Sequence, residues 1–171
     1  MTTIQFYHLL TTPLERALPK LLEKAYGGGF RTVLVADSEE YVEHLNQLLW
    51  TYDPGSFLPH GSEKGGNAER QPILLVTEEF LKGYPPCPPA SGGVKDRSEL
   101  SSSHGFNLLL VTNGIAPQQP EDFDRILDVF DGNDAQAVEK ARNRWAAYKQ
   151  SGCELTYLRQ TDSGGWEKKA S

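Results

Sequence analysis

A chain of 171 residues with 38% apolar and 10% aromatic side chains can build one domain with a proper core and is too short for two comfortable ones. Its 17 basic and 23 acidic residues leave a formal charge of −6, which repels phosphate backbones and excludes general nucleic-acid binding through bulk electrostatics, so any basic site has to be local. Two cysteines, Cys87 and Cys153, without a CxxC or a histidine pair at zinc spacing, argue against a disulfide framework and a structural metal.

The N-terminus lacks a basic region followed by a long apolar run. No window approaches the ~18 apolar residues of a membrane span, so no membrane contact is expected and the cytoplasm is the expected address. In chain order, IQFYHLL (4–10) reads as a strand. TPLERALPKLLEKAYGGG (12–29) reads as a helix with a Thr12/Glu15 capping box, Pro13 at the first helical position and a glycine stop. RTVLVA (31–36) is a second strand. The helix after it places Asp37 and Glu40 as a further capping box and repeats Tyr41, Leu45, Leu48 and Leu49 at helical spacing. A long loop leads to a third strand, QPILLV (71–76).

From about 83 to 104 the density of Pro, Gly and Ser marks a mobile surface insertion that cannot pack a core. FNLLLV (106–111) and RILDVF (125–130) follow as strands, then a helix over about 134–151 and a strand at 153–159. The expected organisation is one domain over 1–160 with a frayed tail at 161–171. Strands alternating with helices of ten or so residues predict an α/β fold of three layers, a mostly parallel sheet flanked by helices.

Such sheets often bind nucleotides, yet the phosphate motifs are missing. YGGGF (26–30) follows a helix and precedes a strand, the reverse of a dinucleotide fingerprint, and fits a helix C-cap; no GxxxxGK[ST] occurs. His8 in the first strand, His44 on the second helix, His60 in the loop and His104 in the insertion stand beside no nucleophile signature. Asp122, Asp124, Asp128, Asp131 and Asp134 crowd one stretch without calcium-loop spacing, and with Gly132 and Asn133 they read as turn and cap chemistry. No catalytic residue, metal or cofactor is therefore expected.

Two features remain. In SFLPHG (56–61), Phe57 and Leu58 stand in a loop, either folded back over the core or exposed as a knob for a partner. In EKARNRWAAYKQSG (139–152), a plot at ~100° per residue puts Ala137, Ala141, Trp145 and Tyr148 on an apolar stripe with Val138 at its margin. Arg142 and Lys149 flank one edge of the stripe, and Lys140 and Arg144 lie towards the other. The segment is either an amphipathic core helix with a solvated basic rim or a basic-edged apolar notch suited to an acidic peptide or a terminal carboxylate.

FYHLL, LLWTYDPGSFLPHG (48–61), RQPILLVTEE (70–79) and above all ILDVFDGNDAQAVEKARNRWAAYKQSGCELTYLRQ (126–160), in order over almost the whole chain, resemble the chi subunit family of bacterial DNA polymerase III, of the alphaproteobacterial kind. The insertion is the departure. The resemblance implies a Rossmann-like fold without a nucleotide-binding loop and a non-catalytic accessory subunit of the clamp-loader complex. It implies binding of the acidic C-terminal tail of single-stranded-DNA-binding protein, and so indirect contact with DNA. It also implies pairing with the psi subunit or another clamp-loader subunit. Carried over by position, the tail site falls on Arg142 and Trp145, with Val138 where better-known members carry a basic residue and Lys149 compensating from the same edge. The partner-facing surface falls on Trp50, Phe57 and Leu58. The competing reading is a Rossmann-like nucleotide-dependent enzyme, which would bind ATP or NAD saturably; direct single-strand binding ranks below both because of the acidic charge.

Overall fold

The computed structural model describes residues 2–66, 68–83, 105–112, 114–117 and 120–169. Eight strands form one sheet: β1 (Thr3–Leu9), β2 (Thr32–Ala36), β3 (Gly61–Ser62), β4 (Ile73–Thr77), β5 (Leu108–Val111), β6 (Arg125–Asp131), β7 (Glu154–Gln160) and β8 (Trp166–Lys169). Their order is β3-β4-β2-β5-β6-β1-β7-β8, and every pairing is parallel except β7 with β8. The helices are α1 (Leu14–Gly27), α2 (Glu39–Thr51), α3 (Glu78–Gly83) and α4 (Ala135–Gln150). The expected insertion, apart from its first residue, lies outside the described residues, as does Cys87.

Burial explains the layering. Strands β2, β4 and β5 are continuous apolar runs because both of their faces are covered, as a parallel sheet requires. On one face Tyr7, Leu9, Leu34, Leu75, Leu110 and Val129 pack against Leu18, Leu22, Leu45 and Leu49 of α1 and α2. On the other, Ile4, Phe6, Val35, Val111, Ile126 and Phe130 meet Phe80 and Leu81 of α3 and Ala141 and Tyr148 of α4. The three-layer α/β architecture is the one the alternation of elements predicts.

Helix starts differ from expectation. Helix α1 begins at Leu14 with Pro13 as N-cap and no side-chain cap. Thr12 stands one residue before that cap, and its backbone N–H, with those of Leu10 and Thr11, donates to the side-chain oxygen of Gln160 at 2.9–3.1 Å. Helix α2 is capped by Ser38, whose hydroxyl accepts from the Tyr41 N–H, and not by Asp37. The glycine stop holds: Gly28 N–H returns to the Lys24 and Ala25 carbonyls, and Gly29 takes φ +81°, which costs glycine alone nothing.

The tail is a second correction. Residues 161–169 do not fray; a turn with Gly164 at φ +82° sends β8 back along β7, and Trp166 packs edge-to-face on Tyr7 at 4.8 Å. Strand β3, two residues long, is too short to leave a periodic signal.

Candidate functional site

Helix α4 opens on Asp134, whose carboxylate accepts from the Gln136 N–H at 2.9 Å. Its rotation about its own axis is fixed from beneath. Arg144 is only 7% exposed, and its Nε and Nη2 donate to Oδ2 and Oδ1 of Asp128 at 2.6 and 2.8 Å. Asp128 lies in the middle of β6 at 1% exposure and so is not loop chemistry, and Arg144 is not part of a solvated rim. Burial pushes the Asp128 carboxyl up against the opposing pull of the Arg144 guanidinium.

With Arg144 turned inwards, Arg142, about 200° round the helix, is exposed at the outer edge of α4. Between that edge and the sheet opens a pocket of about 300 Å³. Val138, Ala141, Arg142 and Trp145 form its helical wall; Phe130, Tyr157 and Lys169 come from β6, β7 and β8. Trp145 stands edge-to-face against Phe6 (5.2 Å) and Tyr157 (5.9 Å), so the apolar lining is held by ring contacts. Of the residues expected to form a tail site, the structure brings Val138, Arg142 and Trp145 together. Lys149 is exposed and does not line the pocket.

Cations set the potential here. His8, on β1, is hydrogen-bonded through Nδ1 to the Tyr157 hydroxyl, and its ring lies tilted 5.1 Å from that of Phe130. Burial and then Arg159 lower its pKa, with Arg142 adding to them; Asp131 and the Gly132 backbone pull the other way. Tyr157 is pushed up by burial and drawn back by Arg159 and Arg142. Both arginines therefore act on the pocket wall of an otherwise acidic protein. Lys169 reaches the pocket from β8 and pairs with Glu167 at 3.0 Å.

Sequence reasoning missed Phe130, Tyr157 and Lys169. The first two share the period-2 face of Asp128 and of Leu155, a readable signal, but which helix covers that face is a tertiary fact. The turn signal SGGW (163–166) was available for Lys169.

A second surface lies on the other half of the sheet. Trp50, at the end of α2, is 58% exposed and Phe57 is 71% exposed, their rings 5.9 Å apart. Leu58 is 2% exposed and belongs to the core, which removes it from the expected partner surface: alternation along an extended loop turns one neighbour out and the other in. His60 is a prop. Its Nδ1 donates to the Leu58 carbonyl at 2.7 Å, and its ring lies 4.9 Å from Trp50.

Among the described residues no group of three or more His, Cys, Asp or Glu side chains is placed to hold a metal, and no helix is long and apolar enough to cross a membrane. The turn from β1 into α1, Leu10–Pro13, carries no glycine to admit a pyrophosphate.

Fold and surfaces together define a Rossmann-like α/β protein whose turn from β1 into α1 is not a dinucleotide loop. The chain belongs to the DNA polymerase III chi subunit family (HolC), whose sequence model matches residues 1–156. It is also similar to a probable DNA polymerase III subunit chi from Rickettsia prowazekii (strain Madrid E), 33% identical over 78 residues. That stretch is 46% of this chain and 47% of the relative, so the chain matches about half the length of its curated relative.

Proposed function

We propose that this chain is a non-catalytic accessory subunit of the DNA polymerase III holoenzyme, within its clamp-loader complex. It couples the replicase to single-stranded-DNA-binding protein in the cytoplasm by seating that protein's acidic C-terminal tail in the pocket beside α4. Contact with DNA is then indirect, as suits a chain of charge −6. Trp50 and Phe57 form the surface for the psi subunit or another clamp-loader subunit. The observation that carries the tail reading is the joint placement of Arg142 and Trp145 on one pocket of about 300 Å³. An apolar recess can take a terminal aromatic side chain while a guanidinium at its edge takes the carboxylate with paired donors.

Fluorescence anisotropy with a labelled acidic nonapeptide ending in Phe tests this. Binding should weaken by about tenfold or more on Arg142→Ala and should fall as salt is raised. An Arg142→Ala protein that binds the peptide as well as the wild type would sink the site assignment.

A further inference from the structure

The pocket has a wall that the family match does not reach. Tyr157 and Lys169 both follow residue 156, where that match ends, and both line the cavity. Lys169 stands directly across the β7–β8 pair from Tyr157, on the sheet face that carries α4. Its neighbour on the same face, Glu167, stands across from Arg159 and holds the Lys169 ammonium at 3.0 Å. Both members of the pair are about half exposed, so the ion pair is one that solvent and an incoming anion can compete with.

We infer that the β7–β8 hairpin completes the peptide site. Lys169 supplies the second cation of the pocket, opposite Arg142, for a carboxylate of the bound acidic peptide, and Glu167 holds that cation in the free protein. This rests on the tail-binding reading above. It replaces Lys149, which is exposed on α4 and outside the pocket lining, as the compensation for the uncharged Val138. Val138 leaves the helical wall with one cation, and a peptide carrying several carboxylates gains from a second on the facing wall. Binding exchanges the Glu167 carboxylate for one belonging to the peptide, so Glu167 acts as a competitor built into the strand.

The two residues therefore make opposite predictions. With the full chain and the labelled nonapeptide, Lys169→Ala should raise Kd about three- to tenfold, and Glu167→Gln should lower it about two- to threefold. Lys168→Ala is the control: it removes the same charge from the same strand, but its side chain points to the other sheet face, beside Trp166. A Lys169→Ala effect no larger than that of Lys168→Ala would overturn the assignment. Weaker binding in Glu167→Gln would do the same, since it would mean the ion pair only holds the hairpin together. If Arg142→Ala abolishes binding while Lys169→Ala does not alter it, the hairpin proposal fails and the tail reading stands. If Arg142→Ala has no effect, both fail.

Discussion

The two aromatic surfaces of this protein differ in what surrounds the rings. Around Trp145 the rings are recessed, Phe6 and Tyr157 close on the indole, and Arg142 and Lys169 stand at the margin. Around Trp50 the rings protrude: Phe57 is the most exposed large apolar side chain among the described residues, and the indole rests beside the His60 ring, which is itself hydrogen-bonded to the Leu58 carbonyl. A recess edged by cations suits a negatively charged group joined to an apolar one. A protruding apolar pair selects only for a complementary apolar surface, and its worth is realised on burial. The same residue type thus serves as socket on one half of the sheet and as plug on the other.

The socket depends on buried groups in a way the plug does not, and mutation should expose the difference. Arg144→Ala leaves the Asp128 carboxylate unpaired at 1% exposure and should cost about 3–5 kcal/mol in urea unfolding, with loss of peptide binding because α4 is no longer held. A smaller effect is expected at Gly132. A Cβ there would stand 1.9 Å from Nε2 of His8 and 2.5 Å from the Leu9 carbonyl oxygen, so Gly132→Ala should cost about 1–3 kcal/mol in the same measurement. On the plug, Trp50→Ala and Phe57→Ala should change stability by only about 0.5 kcal/mol and leave anisotropy with the acidic peptide unchanged, while removing a clamp-loader partner from a pull-down. Loss of peptide binding in either variant would erase the distinction between the two surfaces.

The smallest effect is a pH dependence confined to the socket. The folded protein holds the His8 pKa below its ordinary value of 6.5, chiefly through burial and Arg159. As pH falls below about 6.5 the unfolded chain takes up a proton that the folded chain still refuses, so stability declines over that window down to the lowered folded pKa. Thermal melts of wild type and His8→Gln between pH 7.5 and 5 should show a shallower decline in the variant; parallel curves would mean that His8 does not contribute.

Much of the sheet was legible because its central strands are uninterrupted apolar runs, and α4 was legible because Ala141, Trp145 and Tyr148 recur at helical spacing. The edge carrying Arg142 followed from the same spacing. What stayed hidden depended on partners distant in sequence. Arg144 looks like surface charge until Asp128, 16 residues earlier and inward-facing, is placed beneath it. Thr12 has cap chemistry, but it stands one residue before the cap, in a turn whose N–H groups converge on Gln160, 148 residues away. Phe57 and Leu58 are equivalent as letters, and only the path of the loop decides which one faces water. Lys169 sits on a four-residue strand that the length of its run could not announce.

The position of β1 bears on how this protein comes off the ribosome. Strand β1 pairs with β6 and β7, from Thr3 against Arg125 to Leu9 against Asp131 on one side and from Thr3 against Glu154 to His8 against Arg159 on the other. While β2 and β4 can find each other early, β1 and its apolar residues Ile4, Phe6 and Leu9 must wait without a strand partner until most of the chain has been synthesised. A strand made well before its partners is thus among the last to be placed, and a nascent chain halted before β6 carries an open, apolar strand edge for chaperones to find.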